Sequence, residues 1–212
     1  MKTIQEDAKL LISLGQYYFK KIALYNTRHL YFKIYKPYGY LSQFVNHQNK
    51  RKSKKLLGEL FNFPENTMAI GRLDEKSEGL LLLTTDGKFS NHITSSKIEK
   101  EYHVMVDGII SPEIIAELQN GVEISVEGKS YITKPCKAKT LNNTSHIFDR
   151  FVRDKRHGLT SWLSITLTEG KFRQVRKMTA KVGFPTLRLV RVRIGDYELN
   201  EMKPSDVLAI RY

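Results

Sequence analysis

The sequence predicts an α+β fold built on a mixed, mainly antiparallel sheet. Three observations carry this expectation. Short segments of alternating, β-branched and aromatic residues recur along the chain, as half-buried strands require. Segments with helical spacing are few and interspersed among the strands. The 212 residues, 41% of them hydrophobic, suffice for one sizeable core or for two small subdomains sharing an interface.

Taken in order, residues 4–24 read as an amphipathic helix, with Ile4, Ala8, Leu11, Ile12, Tyr18, Phe19 and Ile22 at helical spacing. It carries no evident chemistry. Residues 30–36 are aromatic and β-branched and read as a strand that Pro37-Tyr38-Gly39 turns. Residues 56–61 suggest a short helix stopped by Pro64. Residues 68–74 form a short apolar strand entering Gly71-Arg72-Leu73-Asp74, and residues 80–84 a buried strand closed by Asp86-Gly87. A short helix is expected over 89–95 and a strand over 100–106. Residues 112–120 read as a helix opened by Ser111, with Pro112 in its first turn and Gly121 past its end.

Residues 122–140 are rich in strand signals, and the polar, basic stretch 142–160 reads as a long loop. A strand over 161–168 follows, then a basic helix over 175–182 closed by Gly183, and final strands at 187–194 and 207–210. There is no internal repeat.

The charge points to a polyanion. Thirty-five Lys and Arg against twenty-two Asp and Glu leave a net charge of +13, and the pI is near 9.7. Basic chains of this kind concentrate on nucleic acid by phosphate contact and counterion release. The charge is also clustered, most densely at Lys50, Arg51, Lys52, Lys54 and Lys55. The single cysteine, Cys136, leaves no internal disulfide and no cysteine-based zinc cluster, and the six histidines show no metal-ligand spacing. No apolar run approaches the roughly 20 residues that span a bilayer. The N-terminus does not read as a secretory signal, so a cytoplasmic setting is expected.

Three segments carry candidate chemistry. In Gly71-Arg72-Leu73-Asp74 the two charged residues are two apart, so an extended chain projects both to one face. A carboxylate beside an arginine suits a nucleophile or base, although a surface ion pair on a turn is the commoner outcome. In the basic segment 169–178, Arg173, Arg176 and Lys177 share one helical face that can hold phosphates or pair with a carboxylate. In the strand over 100–104, Tyr102 and His103 face opposite sides of the sheet, and an inward tyrosine either packs in the core or stacks on a base.

These segments together closely resemble the pseudouridine synthases that modify ribosomal RNA at single uridines. The resemblance runs from about residue 30 to residue 199. It rests on Lys36-Pro37-Tyr38-Gly39, on the Gly71-to-Asp74 loop with its Gly-Leu-Leu-Leu-Leu-Thr continuation, on the Lys-x-Tyr strand, on Glu-Gly-Lys-Phe-Arg-Gln-Val-Arg-Lys-Met, and on residues 183–191. Within the family the chain is most similar to the large-subunit (23S) E type, as Thr160-Ser161-Trp162-Leu163 and Gly195-Asp196-Tyr197 suggest. Tyr35 and Lys76 depart from the usual pattern.

The resemblance implies the pseudouridine synthase catalytic fold. A helical extension over 1–28 would precede a smaller α+β subdomain over 29–98 and a larger sheet-based one over 99–212, with a cleft between the two. It implies Asp74 as catalytic carboxylate, with Arg72, Tyr102 and Arg176 around it, and no metal or other cofactor. Asp74 would either attack ribose C1′ or take a ribose proton to give a glycal, after the base has flipped out of its stack. Lys36, Lys100, Arg173, Gln174, Lys177 and Arg191 are expected to touch RNA, together with the basic run at 50–55. The expected partner is large-subunit ribosomal RNA, free or in assembling particles, bound by a monomer with no membrane contact. The competing reading is a non-catalytic RNA-binding or ribosome-assembly protein with a synthase-like fold.

Overall fold

The computed structural model describes residues 29–45, 54–95 and 97–212. The helix expected over 4–24 and the basic residues Lys50, Arg51 and Lys52 lie outside them.

The alternating segments form strands β1 (Tyr31–Lys36), β2 (Met68–Ile70), β3 (Glu78–Thr84), β4 (Lys100–Asp107), β5 (Glu123–Val126), β6 (Lys129–Ile132), β7 (Lys137–Leu141), β8 (Thr160–Leu167), β9 (Thr186–Ile194), β10 (Tyr197–Glu198) and β11 (Val207–Ala209). The helices are α1 (Gly87–Thr94), α2 (Pro112–Asn120) and α3 (Gln174–Lys181). The main sheet runs β11-β1-β3-β9-β4-β8-β7, with β10 added to β9 and β2 to β3, while β5 and β6 form a separate hairpin. The mixed, mainly antiparallel sheet expected from the sequence is therefore present. Among the strands described, the parallel pair is β3 with β9, joined at Glu78–Val190 and Gly79–Arg191.

That junction explains a glycine. Gly79 has φ +102°, and a Cβ there would stand 2.3 Å from the carbonyl oxygen of Arg191. Only glycine lets the two backbones approach this closely.

Strand period two places neighbouring residues on opposite faces. Leu189 joins a core of Val104, Val106, Leu163 and Ile165 under Leu118 of α2 and Met178 of α3. Val190 joins a second core of Tyr35, Leu80 and Leu82 under Phe89 of α1. All seven residues of β3 are buried, so its run of leucines shows no alternation.

The helices end where their caps dictate. Asp86 accepts a hydrogen bond from Lys88 N at the start of α1, and α2 carries Pro at its first turn and Gly121 at its end. The helix expected over 56–61 is reduced to one 3₁₀ turn, Leu57–Glu59. Phe61 and Phe63 instead turn toward Phe32, and Phe63 also toward Phe44. Aromatic burial there outweighs helix propensity. No helix among the described residues is long and apolar enough to cross a membrane. Residues 31–212 cluster as one unit.

Candidate active site

The loop between β2 and β3 is held from several sides. Gly71 turns it with φ +68°. Ser42 Oγ donates to Leu73 O at 2.8 Å and accepts from Leu73 N at 2.9 Å. Gly39 N donates to Glu75 O at 2.8 Å, the Glu75 carboxylate pairs with Lys54, and Ser77 N closes on Asp74 O at 2.9 Å. Asp74 therefore stands on a fixed backbone with a partly exposed carboxylate.

Two arginines from the other end of the chain face that carboxylate. Arg173 Nη1 lies 3.8 Å and Arg176 Nε 4.0 Å from Asp74 Oδ2. Arg176 is anchored by Nη2 donating to Lys76 O at 2.7 Å and to Ser77 Oγ at 3.2 Å. Burial pulls its guanidinium below the ordinary value, Arg173 acts in the same direction and Asp74 opposes; an arginine remains a cation nonetheless. Arg173 caps α3 from the left-handed region, at φ 55° and ψ 32°. A side chain seldom adopts this conformation without a reason, and here it turns the guanidinium toward Asp74.

Asp74 opens into a cleft of about 780 Å³ that Arg72, Lys100, Tyr102, Phe172, Arg173 and Arg191 also line. A second carboxylate, Glu169, is buried in its wall. It accepts from Lys134 N at 2.9 Å, from Gln174 Nε2 at 2.6 Å and from the Tyr131 hydroxyl. Burial alone would raise its pKa, yet these donors together hold it below the usual carboxylate range. Gln174 in turn accepts from Lys171 N at 2.9 Å. Glu169 and Gln174 thus lock the turn that carries Phe172 and Arg173.

The expected site residues separate into groups. Asp74, Arg176, Tyr102 and Arg72 converge on one cleft, with Arg173, Lys100 and Arg191. Arg72 stands exposed there and makes no ion pair with Asp74 among the described residues; the arginines that do so come from residues 173 and 176. Of the face expected to join Arg173, Arg176 and Lys177, the two arginines do meet at Asp74, although Arg173 lies outside the helical conformation. Lys177 Nζ leaves for Ser125 O at 2.7 Å.

Lys36 is a correction to the residues expected to touch RNA. It is 0% exposed, and its ammonium donates to Pro37 O at 2.9 Å and Tyr40 O at 2.7 Å. Burial lowers its pKa to about 7, with Glu78 opposing and Arg191 assisting. It ties the first turn together instead of meeting solvent. Gln174 is likewise buried and occupied by Glu169. Arg191 is buried in the cleft wall, where Nε donates to Leu80 O at 2.8 Å and Nη2 has no acceptor among the described residues. Lys100 Nζ is held at 2.9 Å by Ile98 O, and burial lowers its pKa.

Sequence reasoning gave no role to Glu78, Glu169, Tyr131 or Phe172. Glu169 and Phe172 stood inside a matched segment, and an acidic residue before Gly170 and a basic helix was the available signal.

Comparisons with known proteins bear on the family and the fold. Residues 30–181 match the RNA pseudouridylate synthase family. The chain is 42% identical over 178 residues to ribosomal large subunit pseudouridine synthase E of Xanthomonas axonopodis pv. citri, covering 82% of this chain and 90% of that one. It is 39% identical over 189 residues to ribosomal large subunit pseudouridine synthase E of Vibrio parahaemolyticus, covering 87% and 74%. A crystal structure of a pseudouridylate synthase superposes with a TM-score of 0.67 at 27% identity, covering 88% of this chain and 72% of the other.

Proposed function

The chain belongs to the RNA pseudouridylate synthase family, and from that premise we propose that it converts a uridine of large-subunit ribosomal RNA to pseudouridine, with Asp74 as the essential carboxylate and the target base flipped into the cleft. The observation that carries this reading is Asp74 itself, held on a fixed loop, open to the cleft and faced by Arg173 at 3.8 Å and Arg176 at 4.0 Å. The names of the relatives favour large-subunit RNA as the substrate.

In this isomerisation the C1′–N1 bond breaks and a C1′–C5 bond forms. The C5 proton leaves and N1 acquires one, so nothing is oxidised and no group is gained. Asp74 acts on the ribose, either at C1′ or on a ribose proton. The two guanidinium groups complement its charge and orient it. Tyr102, on the cleft wall, packs on the uracil and assists proton loss from C5. A stacked uridine reaches these groups only when extruded, at a cost of about a few kcal/mol. Phosphate contacts supply much of that energy, and Lys100, Arg173 and the basic run at 50–55 are the proposed donors.

Tritium release from RNA carrying 5-tritiated uridine tests the reading. Ribosomal RNA from cells lacking this protein is the substrate, free and in particles. Wild type is expected to release tritium, and Asp74→Asn to release none while binding RNA within about tenfold of wild type, since one carboxylate makes no phosphate contact. Release by both proteins would remove Asp74 from its role. Release by neither would leave the non-catalytic RNA-binding reading.

A further inference from the structure

Among the described residues, the hairpin of β5 and β6 alone forms strands outside the main sheet. It packs on that sheet through Ile124, with Val126 and Tyr131 against the same core. Thr133 closes its base, donating from N to Val122 O at 3.0 Å and accepting on Oγ1 from Val122 N at 2.9 Å. Its polar groups reach in one direction. The Tyr131 hydroxyl donates to Glu169, as does Lys134 N at 2.9 Å. The Lys171 ammonium lies 4.8 Å from the centre of the Tyr131 ring, and Lys177 Nζ donates to Ser125 O at 2.7 Å. All four ties end within residues 169–177, the segment that carries Arg173 and Arg176.

That segment needs a hold from outside. Arg173 sits at φ 55° and ψ 32°, a left-handed conformation that a residue with a Cβ keeps only where its surroundings over-determine it. Helix α3 fixes one side, since Lys177 N donates to Arg173 O at 3.0 Å. Glu169 fixes the other. Its Oε1 accepts from Gln174 Nε2 at 2.6 Å, and Gln174 Oε1 accepts from Lys171 N at 2.9 Å. The same Oε1 accepts from Lys134 N, while Oε2 accepts from Tyr131. One buried carboxylate thus joins the hairpin to both ends of the turn. With three donors on its two oxygens it is occupied, so its influence on the cleft passes through the arginine it holds.

We infer that Glu169, clamped to the β5–β6 hairpin through Tyr131 and Lys134, is the positioning residue for Arg173 and sets its guanidinium 3.8 Å from Asp74. Glu169 itself touches no reacting atom. Without it Gln174 loses its acceptor, the turn loosens, and Arg173 relaxes out of the left-handed region and swings off the carboxylate. The hairpin is then a brace for the catalytic cleft as well as a cover for the core. This inference rests on the proposed isomerisation for its kinetic readout, and a structural readout tests it separately.

The test pairs single-turnover tritium release at saturating ribosomal RNA with crystal structures of the same full-chain variants. Glu169→Ala is expected to slow release about 10²-fold, the order that a misplacement of about 1 Å produces, and its structure should show Arg173 away from Asp74. Glu169→Gln should recover most of the loss. Its oxygen still accepts from Lys134 N and Gln174 Nε2, and its amide donates to the Tyr131 hydroxyl oxygen. In an Arg173→Ala background, adding Glu169→Ala should slow release no further, because the two residues act as a unit. Tyr131→Phe removes one donor and leaves the core packing in place. It should slow release in the presence of Arg173 and not in its absence, which decides the matter alone if Glu169→Ala does not fold. Additive losses in either double variant, a Glu169→Gln protein as slow as Glu169→Ala, or Arg173 still in place in the Glu169→Ala structure would each overturn the inference. Arg173 displaced in that structure, with no release by wild type, supports the positioning role and removes the isomerase reading instead.

Discussion

Asp74 and Glu78 are two carboxylates four positions apart, and the protein treats them in opposite ways. Glu78 is 1% exposed. It accepts from Arg188 Nε at 2.9 Å, from Arg188 Nη2 at 3.1 Å and from Arg150 Nε at 3.1 Å. Arg188 also donates to Phe148 O at 2.7 Å, and Arg150 lies 4.4 Å from the centre of the Tyr38 ring. Asp74 has guanidinium groups only at 3.8 and 4.0 Å and an open cleft before it. A carboxylate saturated by short bonds serves the fold, whereas one held at longer range retains lone pairs for a substrate. Proximity to arginine does not distinguish the two roles; saturation does.

That contrast is sharpest under matched substitution. Asp74→Asn is expected to reduce tritium release by at least about 10³-fold, as loss of a covalent or proton-transfer group does, while shifting stability by no more than about 1 kcal/mol. Urea unfolding and the release assay check both halves. Glu78→Gln reverses the pattern. It leaves Arg188 buried and under-compensated and should cost about 3 kcal/mol in urea unfolding, with turnover per folded molecule retained far better than in Asp74→Asn. A Glu78→Gln protein as stable as wild type would void the comparison.

Smaller effects refine it. Lys36 lies behind the same loop, and burial holds it at about 7, against about 10.4 in an unfolded chain. Between those values the unfolded chain binds more protons, so stability rises with pH across this window, by up to about 1.4 kcal/mol per unit. Below pH 7 the contribution is flat. Urea unfolding at pH 7, 8 and 9 should show the rise in wild type and a flatter profile in Lys36→Met. The smallest effect concerns the basic run. Lys54 is engaged by Glu75, while the Lys55 ammonium stands 5.5 Å from the Tyr40 ring centre and has no ion pair among the described residues. Lys55→Ala should therefore lower the salt slope of RNA binding by about one, and Lys54→Ala by less. Binding titrations from low to moderate salt separate them.

Much of this was legible in the sequence because it is local. Alternation marked β4, β8 and β9, and Ser111, Pro112 and Gly121 marked both ends of α2. The Gly71-to-Asp74 loop was found by resemblance, since spacing alone favoured a surface ion pair. What stayed hidden depends on contacts across the chain. The partner of Glu78 lies 110 residues away, so no window of sequence contains it. Spacing set Arg72 beside Asp74 and resemblance set Arg176 there; in the folded chain Arg176 and Arg173 face the carboxylate, and Arg72 makes no ion pair with it among the described residues. Lys36 was expected to touch RNA, and only the packed strand between β3 and β11 reveals its burial. The left-handed Arg173 carried no sequence signal, since glycine is the residue expected at such a φ.

The tight crossing of Gly79 and Arg191 has a temporal meaning. Strand β3 leaves the Asp74 loop directly, yet its neighbour β9 lies more than 100 residues downstream in the chain, and Arg173 and Arg176 are nearly as distant from Asp74. Closing so long a loop is slow and contributes nothing until both strands exist. During synthesis, a nascent chain that has already emerged with Asp74 possesses the carboxylate without its cations or the strand that braces it. The cleft around Asp74 is therefore assembled only after residues 173 to 194 have emerged, and a shorter nascent chain holds the loop without the groups that face it.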